Sequence, residues 1–389
     1  MSFVILKNIC KHYEDGKELV VRNINLNIEK GEFLTLLGPS GCGKTTILNM
    51  IAGLETITSG DLIIDGKMVN HIPARYRNIG MVFQSYALFP HMTVDQNIAF
   101  GLKIKKRSRL EIFDKLDWVK QLLHLNDKGK SYPRELSGGE RQRVALGRSL
   151  VLDPAVLLLD EPLSNLDQEL RETMTTELKR IHQEVHNTMV YVTHNQMEAM
   201  RMSDRIAVIR KGELIQCATP VRIFSHPKNR FVAGFIGSPA MNMVPAKVVP
   251  SDSSMEAAVE FNGIRLHMEK QKAQAWMTMC GKEIIAGIRP QQIWHFRDRD
   301  GRRHSDTDVE MQVMLVEPLG DRIMVTARLQ DQDFVFLVTT DHLPQPKEMI
   351  RIVIDGRNLH LFDTETGERI ELGEKDDSAA AASSCLRLQ

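Results

Sequence analysis

The stretch Gly38-Pro39-Ser40-Gly41-Cys42-Gly43-Lys44-Thr45 decides how this chain folds, because of what lies on either side of it. Before it, Phe33, Leu34, Leu36 and Leu37 form a short apolar run bounded by Gly31 and Gly38, as expected of a buried strand. After Thr46, Ile47, Leu48, Met50 and Ile51 are spaced as one face of a helix. Strand, glycine turn and helix N-terminus in that order make a phosphate-binding loop. Glycines at 38, 41 and 43 let successive backbone N–H groups turn inward onto an anion. The helix dipole adds partial positive charge there, and Lys44 adds a full one between the β- and γ-phosphates of a nucleoside triphosphate. Thr45 supplies a hydroxyl for Mg²⁺, and Pro39, Ser40, Cys42 and Thr46 complete the loop around the phosphates. A glycine-rich turn with a stray lysine would lack these flanks.

Composition narrows the setting. At 389 residues the chain can hold two or three domains with good cores. Lys plus Arg equals Asp plus Glu at 50 each, so there is no basic excess to neutralise nucleic-acid phosphates. Apolar runs such as 155–159 fall far short of a bilayer span. The opening Met1-Ser2-Phe3-Val4-Ile5-Leu6 has no basic segment or cleavage site and reads as a strand, not a signal peptide. Cysteines at 10, 42, 217, 280 and 385 show no paired spacing, which speaks against a disulfide framework or zinc site and suits a reducing cytoplasm. Cys42 lies beside a helix N-terminus and Lys44, a setting expected to lower its thiol pKa.

Two textures divide the chain. From Phe3 to Gly237, strand-like and helical runs alternate, the α/β pattern. Ile24, Leu26 and Ile28 alternate with Asn25 and Asn27, as in an antiparallel strand with one wet face. The runs 79–83, 156–160 and 189–193 are apolar throughout, as a covered parallel sheet requires. Residues 94–152 read as mainly helical, with Leu116, Val119, Leu122, Leu123 and Leu125 as an apolar stripe. After Pro239, short strand-like runs at 244–249, 256–261, 284–288, 309–316, 323–329, 334–338, 350–354 and 359–362 suggest a small β-barrel or sandwich. The expected division is therefore 1–237, with a helical part at about 86–153, then 238–373, then a low-complexity tail 374–389 expected to be disordered.

Four further features narrow the chemistry. Leu136-Ser137-Gly138-Gly139-Glu140 precedes the helical run Arg141-Gln142-Arg143-Val144-Ala145-Leu146-Gly147-Arg148. Ser137 is a good N-cap, and Gly138 and Gly139 allow a phosphate close to a second helix end. The run Val156-Leu157-Leu158-Leu159 ends in Asp160 and Glu161. That places Asp160 at the carboxyl edge of the sheet, suited to Mg²⁺, and Glu161 one residue on, suited to take a proton from the attacking water. His194 ends the run 190–193, where ligands gather in open α/β sheets. Gln84 ends the run 79–83; its carbonyl can approach Mg²⁺ or the water, and the partly apolar loop behind it, 85–91, reads as a docking surface.

In this order the loop at 38–45, Gln84, 136–140, Asp160-Glu161, Ser164-Asn165-Leu166-Asp167 and His194 resemble the ATPase of ABC transporters over residues 3–237. The resemblance implies a RecA-like core with an antiparallel β subdomain and a helical subdomain. It makes Tyr13 the aromatic that stacks on adenine, 164–167 the D-loop, and Lys44, Gln84, Glu161 and His194 the catalytic set. The words Gly237-Ser238-Pro239-Ala240-Met241-Asn242, Gly287-Ile288-Arg289-Pro290, Val316-Glu317-Pro318-Leu319-Gly320 and Asp355-Gly356 resemble the OB-like C-terminal domain of maltose-type carbohydrate importers. Two positions depart from the pattern: Glu140 stands where glutamine is usual, and Asn195 where aspartate is commoner.

The resemblance implies a head-to-tail homodimer with ATP and Mg²⁺ between 38–46 of one copy and 137–139 of the other. It further implies two transmembrane permease subunits, a periplasmic or extracellular solute-binding protein and a regulator received by the C-terminal domain. The place implied is peripheral, on the cytoplasmic face of the inner membrane. ATPases of polyamine and ferric-iron importers look similar through residue 237, but the C-terminal words favour sugars or glycerol 3-phosphate. A soluble ribosome- or DNA-directed relative would carry two cassettes or a long coiled coil, and a sensor without turnover would not need both Glu161 and His194.

Overall fold

In the computed structural model of the chain, the apolar run before the phosphate loop is a fully buried strand at the centre of a parallel sheet. The structure describes residues 2–13, 19–251, 257–267, 276–295, 306–339, 343–356 and 359–371; the expected tail at 374–389 and Glu256 lie outside them. The chain divides into two units, Met1–Pro220 and Val221–Gln389.

The first unit runs β1 (Ser2–His12), β2 (Leu19–Glu29), β3 (Phe33–Leu37), α1 (Lys44–Ala52), β4 (Ser59–Ile64), β5 (Lys67–Met68), β6 (Ile79–Val82), α2 (Val94–Ile104), α3 (Arg109–Leu122), α4 (Gly138–Leu150), β7 (Val156–Asp160), α5 (Gln168–Val185), β8 (Thr188–Thr193), α6 (Gln196–Met202), β9 (Arg205–Arg210) and β10 (Glu213–Ala218). Its main sheet has the order β10-β9-β3-β8-β7-β6, parallel except for β10. Both faces are covered. On one, Leu34, Leu36, Leu158 and Val190 pack with Ile47 and Leu48 of α1 and with Leu6, Ile24 and Ile28 of the antiparallel sheet β2-β1-β4-β5. On the other, Phe33, Leu157, Leu159 and Tyr191 pack with Val144 and Leu146 of α4, Met174 and Leu178 of α5, and Ile98 and Val119 of α2 and α3. Double coverage is why these strands read as continuous apolar runs. Each large aliphatic side chain buried this way contributes about 1.5–3 kcal/mol.

In the second unit α7 (Pro220–Ser225) and α8 (Arg230–Phe235) precede β11 (Asn242–Pro250), β12 (Ala257–Phe261), β13 (Ile264–His267), β14 (Glu283–Ile288), β15 (Ile293–His295), β16 (Asp306–Pro318), β17 (Ile323–Leu329), β18 (Gln332–Val338), β19 (Met349–Asp355) and β20 (His360–Asp363). Two five-stranded antiparallel sheets, β13-β12-β11-β14-β20 and β15-β19-β16-β17-β18, share one core that includes Val244, Val259, Ile284, Val325, Phe334, Phe336 and Ile352. Buried Asn242 ties them: its amide donates to the carbonyls of Ile288 (3.2 Å) and Val335 (2.9 Å), and its oxygen accepts from the Val335 N–H at 2.8 Å.

Residues 221–237 pack with this second unit, whereas the sequence grouped them with the first. Arg289 is one cause. Its guanidinium, 3% exposed, donates to the carbonyls of Ala233 (3.3 Å), Ile236 and Phe224 (2.7 Å) and lies 4.1 Å from the Phe224 ring centroid. Burial pushes its pKa down to about 10, so it remains charged at neutral pH. Arg289→Met strands three carbonyls, each at a cost of about 1–3 kcal/mol. It is expected to lower stability of the β unit by ~3 kcal/mol in urea unfolding while the first unit's transition stays in place.

Candidate functional site

The phosphate loop is shaped by close backbone packing. A Cβ on Gly38 would lie 2.2 Å from the carbonyl oxygen of Ile209 in β9, and Gly43, the N-cap of α1, has a φ of 99°, which disfavours a side chain. Pro39, Ser40 and Gly41 form the exposed crown, while Cys42, Gly43 and Lys44 are buried beneath it; Thr45 is exposed and Thr46 half-buried. The Lys44 ammonium donates to the carbonyls of Gly38 (2.9 Å) and Pro39 (2.8 Å), which keeps its charge at the loop's centre. Cys42 corrects the sequence reading. Its Sγ is 3.7 Å from Lys44 Nζ, yet burial outweighs that charge and pushes the thiol pKa up, not down.

The parallel register sets the rest. β6 pairs Val82 with Leu159, β7 pairs Asp160 with Val192, and β3 pairs Leu37 with Thr193, so the residues after these pairs emerge on one edge. Thr45 Oγ1 donates to Asp160 Oδ1 at 3.0 Å. Burial, helped by the neighbouring Glu161 charge and opposed by Thr45 and Lys44, pushes the Asp160 carboxyl up. A hydroxyl and a carboxylate facing each other are the hard oxygen donors Mg²⁺ takes, and a cation there would relieve the strain on that carboxylate, so the donor set fits the metal.

Glu161 sits at φ 42°, with its N–H donating to Val192 O at 3.0 Å. Its Oε1 is 3.2 Å from His194 Nδ1, and that ring is half-exposed. The Glu161 carbonyl accepts from Ser164 Oγ (2.8 Å), Ser164 Oγ accepts from the Gln84 amide (3.3 Å), and Asn165 donates back to Gln84 O (3.0 Å). Lys44, Thr45, Asp160, Glu161, His194 and Gln84 are thus brought to one sheet edge. Tyr13 follows β1 and is 42% exposed; Lys11 lies 4.9 Å over its ring and pairs with Glu55 at 2.7 Å.

Ser137 caps α4 reciprocally: its Oγ accepts from Glu140 N–H (3.3 Å) and its own N–H donates to Glu140 Oε2 (2.8 Å). The Ser137 N–H, with Lys128 behind it, holds the Glu140 carboxyl below its usual range. Glutamate therefore does here what glutamine's amide oxygen would do. Asn195 likewise caps α6, accepting from Met197 N–H (2.9 Å) and Glu198 N–H (3.3 Å). Among hydrogen bonds of the described residues, none joins 137–139 to the phosphate loop.

The ABC transporter family model matches residues 21–164, the MalK OB fold domain 237–293 and the TOBE domain 286–362. The sn-glycerol-3-phosphate import ATP-binding protein UgpC of Cereibacter sphaeroides is 42% identical over 95% of this chain and 100% of its own length. The oligosaccharides import ATP-binding protein MsmX of Bacillus subtilis is 41% identical over 95% and 100%. The chain belongs to the ABC transporter family, as an ATP-binding subunit. Among solved structures, the ATP-binding cassette MJ0796, a dimer in a post-hydrolysis state with ADP and Pi, shares 34% identity, covering 56% of this chain and 98% of its own, with a TM-score of 0.50. The chain is therefore an ABC ATPase that binds ATP.

One residue of this ABC ATPase escaped the sequence reading. Arg148, in the last turn of α4, donates to the carbonyls of Tyr86 (3.0 Å) and Ala87 (2.6 Å) and lies 5.6 Å over the Phe89 ring. Tyr86 and Ala87 both have positive φ, 62° and 47°, so the arginine holds a strained bend just past Gln84. Its only sequence signal was its place at the end of the 141–148 helical run. Beyond the bend, His91, Met92, Gln96, Phe100, Lys103 and Ile104 line an open groove of about 570 Å³. Leu88 turns partly into the helical core and Phe89 packs on Phe100 at 4.6 Å, so the groove's exposed wall comes from α2.

For Cys42 the outcome is specific. A thiol pKa pushed up by burial leaves little thiolate at neutral pH. Iodoacetamide labelling of Cys42, followed by peptide mass spectrometry, is expected to run at least ~10-fold slower at pH 7.5 than in urea-unfolded chain. Its rate is expected to climb as the pH is made alkaline, and added ATP to slow it further.

Proposed function

We propose that this ATPase works as a head-to-tail pair in which Glu161 of each copy activates water, driving uptake of a carbohydrate-class solute through separate permease subunits. The observation that carries the reading is the meeting, at one sheet edge, of a Thr45–Asp160 pair at 3.0 Å and a Glu161–His194 pair at 3.2 Å. The names of UgpC and MsmX and the match to the MalK OB fold domain support the solute class. The dimeric MJ0796 cassette supports the pairing.

In this reading the loop N–H groups and Lys44 hold the β- and γ-phosphates. Thr45 and Asp160, with Gln84, would hold Mg²⁺, which when bound offsets charge on the phosphate oxygens. Glu161 accepts the water's proton, and His194, whose Nδ1 lies 3.2 Å from Glu161 Oε1, orients that carboxylate and contacts the γ-phosphate. Tyr13 offers its open face to adenine. In each chain the Ser137 hydroxyl oxygen is occupied as an acceptor, which leaves its proton free to donate. Ser137 of the partner subunit can thereby close the γ-phosphate from the opposite side. Cleavage turns one shared polyanion into two repelling ones, and the interface opens. The α2 groove receives the permease, with Arg148 linking the bend at 86–87 to the helix that Ser137 caps. The implied solute-binding protein and inner-membrane placement follow from the importer reading; among the described residues, no helix is long and apolar enough to cross a membrane.

Two measurements test this. Glu161→Gln is expected to bind ATP normally, to lose ~10²–10⁴ in phosphate release and to accumulate as a dimer on size exclusion with ATP; near-normal turnover would overturn the role. Ile104→Asp places a charge on an exposed groove residue. It is expected to leave basal phosphate release within about twofold while abolishing co-purification with the permeases and solute uptake; full uptake would remove the groove from the docking surface.

A further inference from the structure

A buried carboxylate outside the nucleotide contacts has no place in the scheme above. Glu198, in the first turn of α6, is 6% exposed. A carboxylate so placed is costly unless its oxygens are satisfied. Its Oε2 accepts from Tyr191 Oη at 2.8 Å and from Thr193 Oγ1 at 2.7 Å, and its Oε1 lies 3.8 Å from Arg171 Nε. Burial and the adjacent Glu198 charge keep the Tyr191 phenol protonated, so it serves as a donor. Thr193 Oγ1 also accepts the Asn195 N–H at 2.9 Å, and Asn195 caps the helix that carries Glu198. Both neighbours of His194 in sequence are therefore tied to the region of this carboxylate.

Arg171 holds the other side. Its Nη2 donates to Leu166 O at 2.7 Å and its Nε to Leu163 O at 3.4 Å, the residues bracketing Ser164 and Asn165. Arg171 lies near the start of α5, where the helix dipole disfavours a cation, so its position answers to these carbonyls and to Glu198 rather than to the helix. The contacts form a closed ring. From Glu161 it passes to His194 (3.2 Å), through Thr193 to Glu198, across to Arg171, to Leu163 and Leu166, and by Ser164 back to the Glu161 carbonyl at 2.8 Å.

We propose that Glu198 and Arg171 are positioning residues, a link that locks the His194 turn to the 163–166 segment so that the two move as one around Glu161 during hydrolysis. This rests on the assignment of Glu161 and His194 made above. The two residues act on the rate through His194 and Ser164, and neither touches nucleotide. Removing either end frees the same joint, so the two losses overlap instead of adding.

The test is a double-mutant cycle on the full chain: Glu198→Gln, Arg171→Met and the pair, with phosphate release measured against ATP concentration well below each variant's Tm. Each single variant is expected to lose about 10-fold in kcat with KM within about twofold, and the pair to lose the same ~10-fold rather than ~100-fold. A second probe guards against folding failure: Thr193→Val keeps the shape, removes the hydroxyl joint and is expected to show the same kcat loss with KM held. A lowered Tm with unchanged kcat, or a multiplicative loss in the pair, overturns the link and leaves a structural ion pair. Glu161→Gln run alongside separates the two levels. If it hydrolyses normally, the site assignment fails; if it is inactive while the cycle multiplies, the link alone fails.

Discussion

In a parallel sheet every strand delivers its carboxyl end to the same edge, and this ATPase draws its chemistry from that constraint. β3 ends in the phosphate loop, β7 in Asp160 and Glu161, β8 in His194 and β6 runs into Gln84. The spatial order β3-β8-β7-β6 sets His194 between the loop and the two acids. A slip of one residue at β7 would trade Asp160 for Glu161 against Val192 and turn the Mg²⁺ candidate away from Thr45. Register is fixed by burial on both faces: Leu157 and Leu159 serve one core, Leu158 and Val156 the other.

The parts of this arrangement that could be read from the sequence are those in which local pattern and chemistry coincide. An apolar run that ends abruptly in Asp160-Glu161 or His194 announces both a buried strand and its exposed end, so those positions were legible without coordinates. Partnerships across the chain were not. Arg148 reaches carbonyls 61 and 62 residues away, and carbonyl acceptors leave no trace in a sequence. Cys42 was misjudged because the charge of Lys44 is written in the sequence, whereas the burial that outweighs it depends on packing. In the β unit, β13 and β15 went unread; each is four residues or fewer and lies at a sheet edge, where one neighbour imposes little pattern. Arg289 and Asn242 were legible only as words resembling a family; their physical work, capping short helices and joining two sheets, appears in the contacts.

The two departures from the family's usual residues show which property each position requires. Glu140 must return a hydrogen bond to Ser137 N–H, and a carboxylate oxygen serves as well as an amide oxygen. With a carboxylate the first turn of α4 also gains a negative charge, which the helix dipole favours and Lys128 partly balances. Were the same helix end to receive the partner's γ-phosphate, that charge would sit behind the cap, held by Ser137 and Lys128. At Asn195 the requirement is an acceptor for two N–H groups of α6, and neutral asparagine meets it with one oxygen.

Glu161 shows why a ring of contacts is needed at all. A non-glycine residue at φ 42° is held in a conformation that costs of order 1–3 kcal/mol, and it persists only when its surroundings leave no alternative. Here its N–H is bound to Val192 O and its carbonyl to Ser164, and its carboxylate lies 3.2 Å from His194 Nδ1. Each of these three anchors belongs to a different segment: β8, the loop before α5 and the turn before α6. Unless those segments are fixed to one another, the bend at Glu161 can relax by shifting any one of them, and the carboxylate loses its aim. The Glu198–Arg171 contact spans the gap between the last two, with its carboxylate end buried and its arginine end half-buried. The conformation of Glu161 is thus held by the whole closed circuit, and the Glu198–Arg171 contact is the joint in it that the double-mutant cycle addresses.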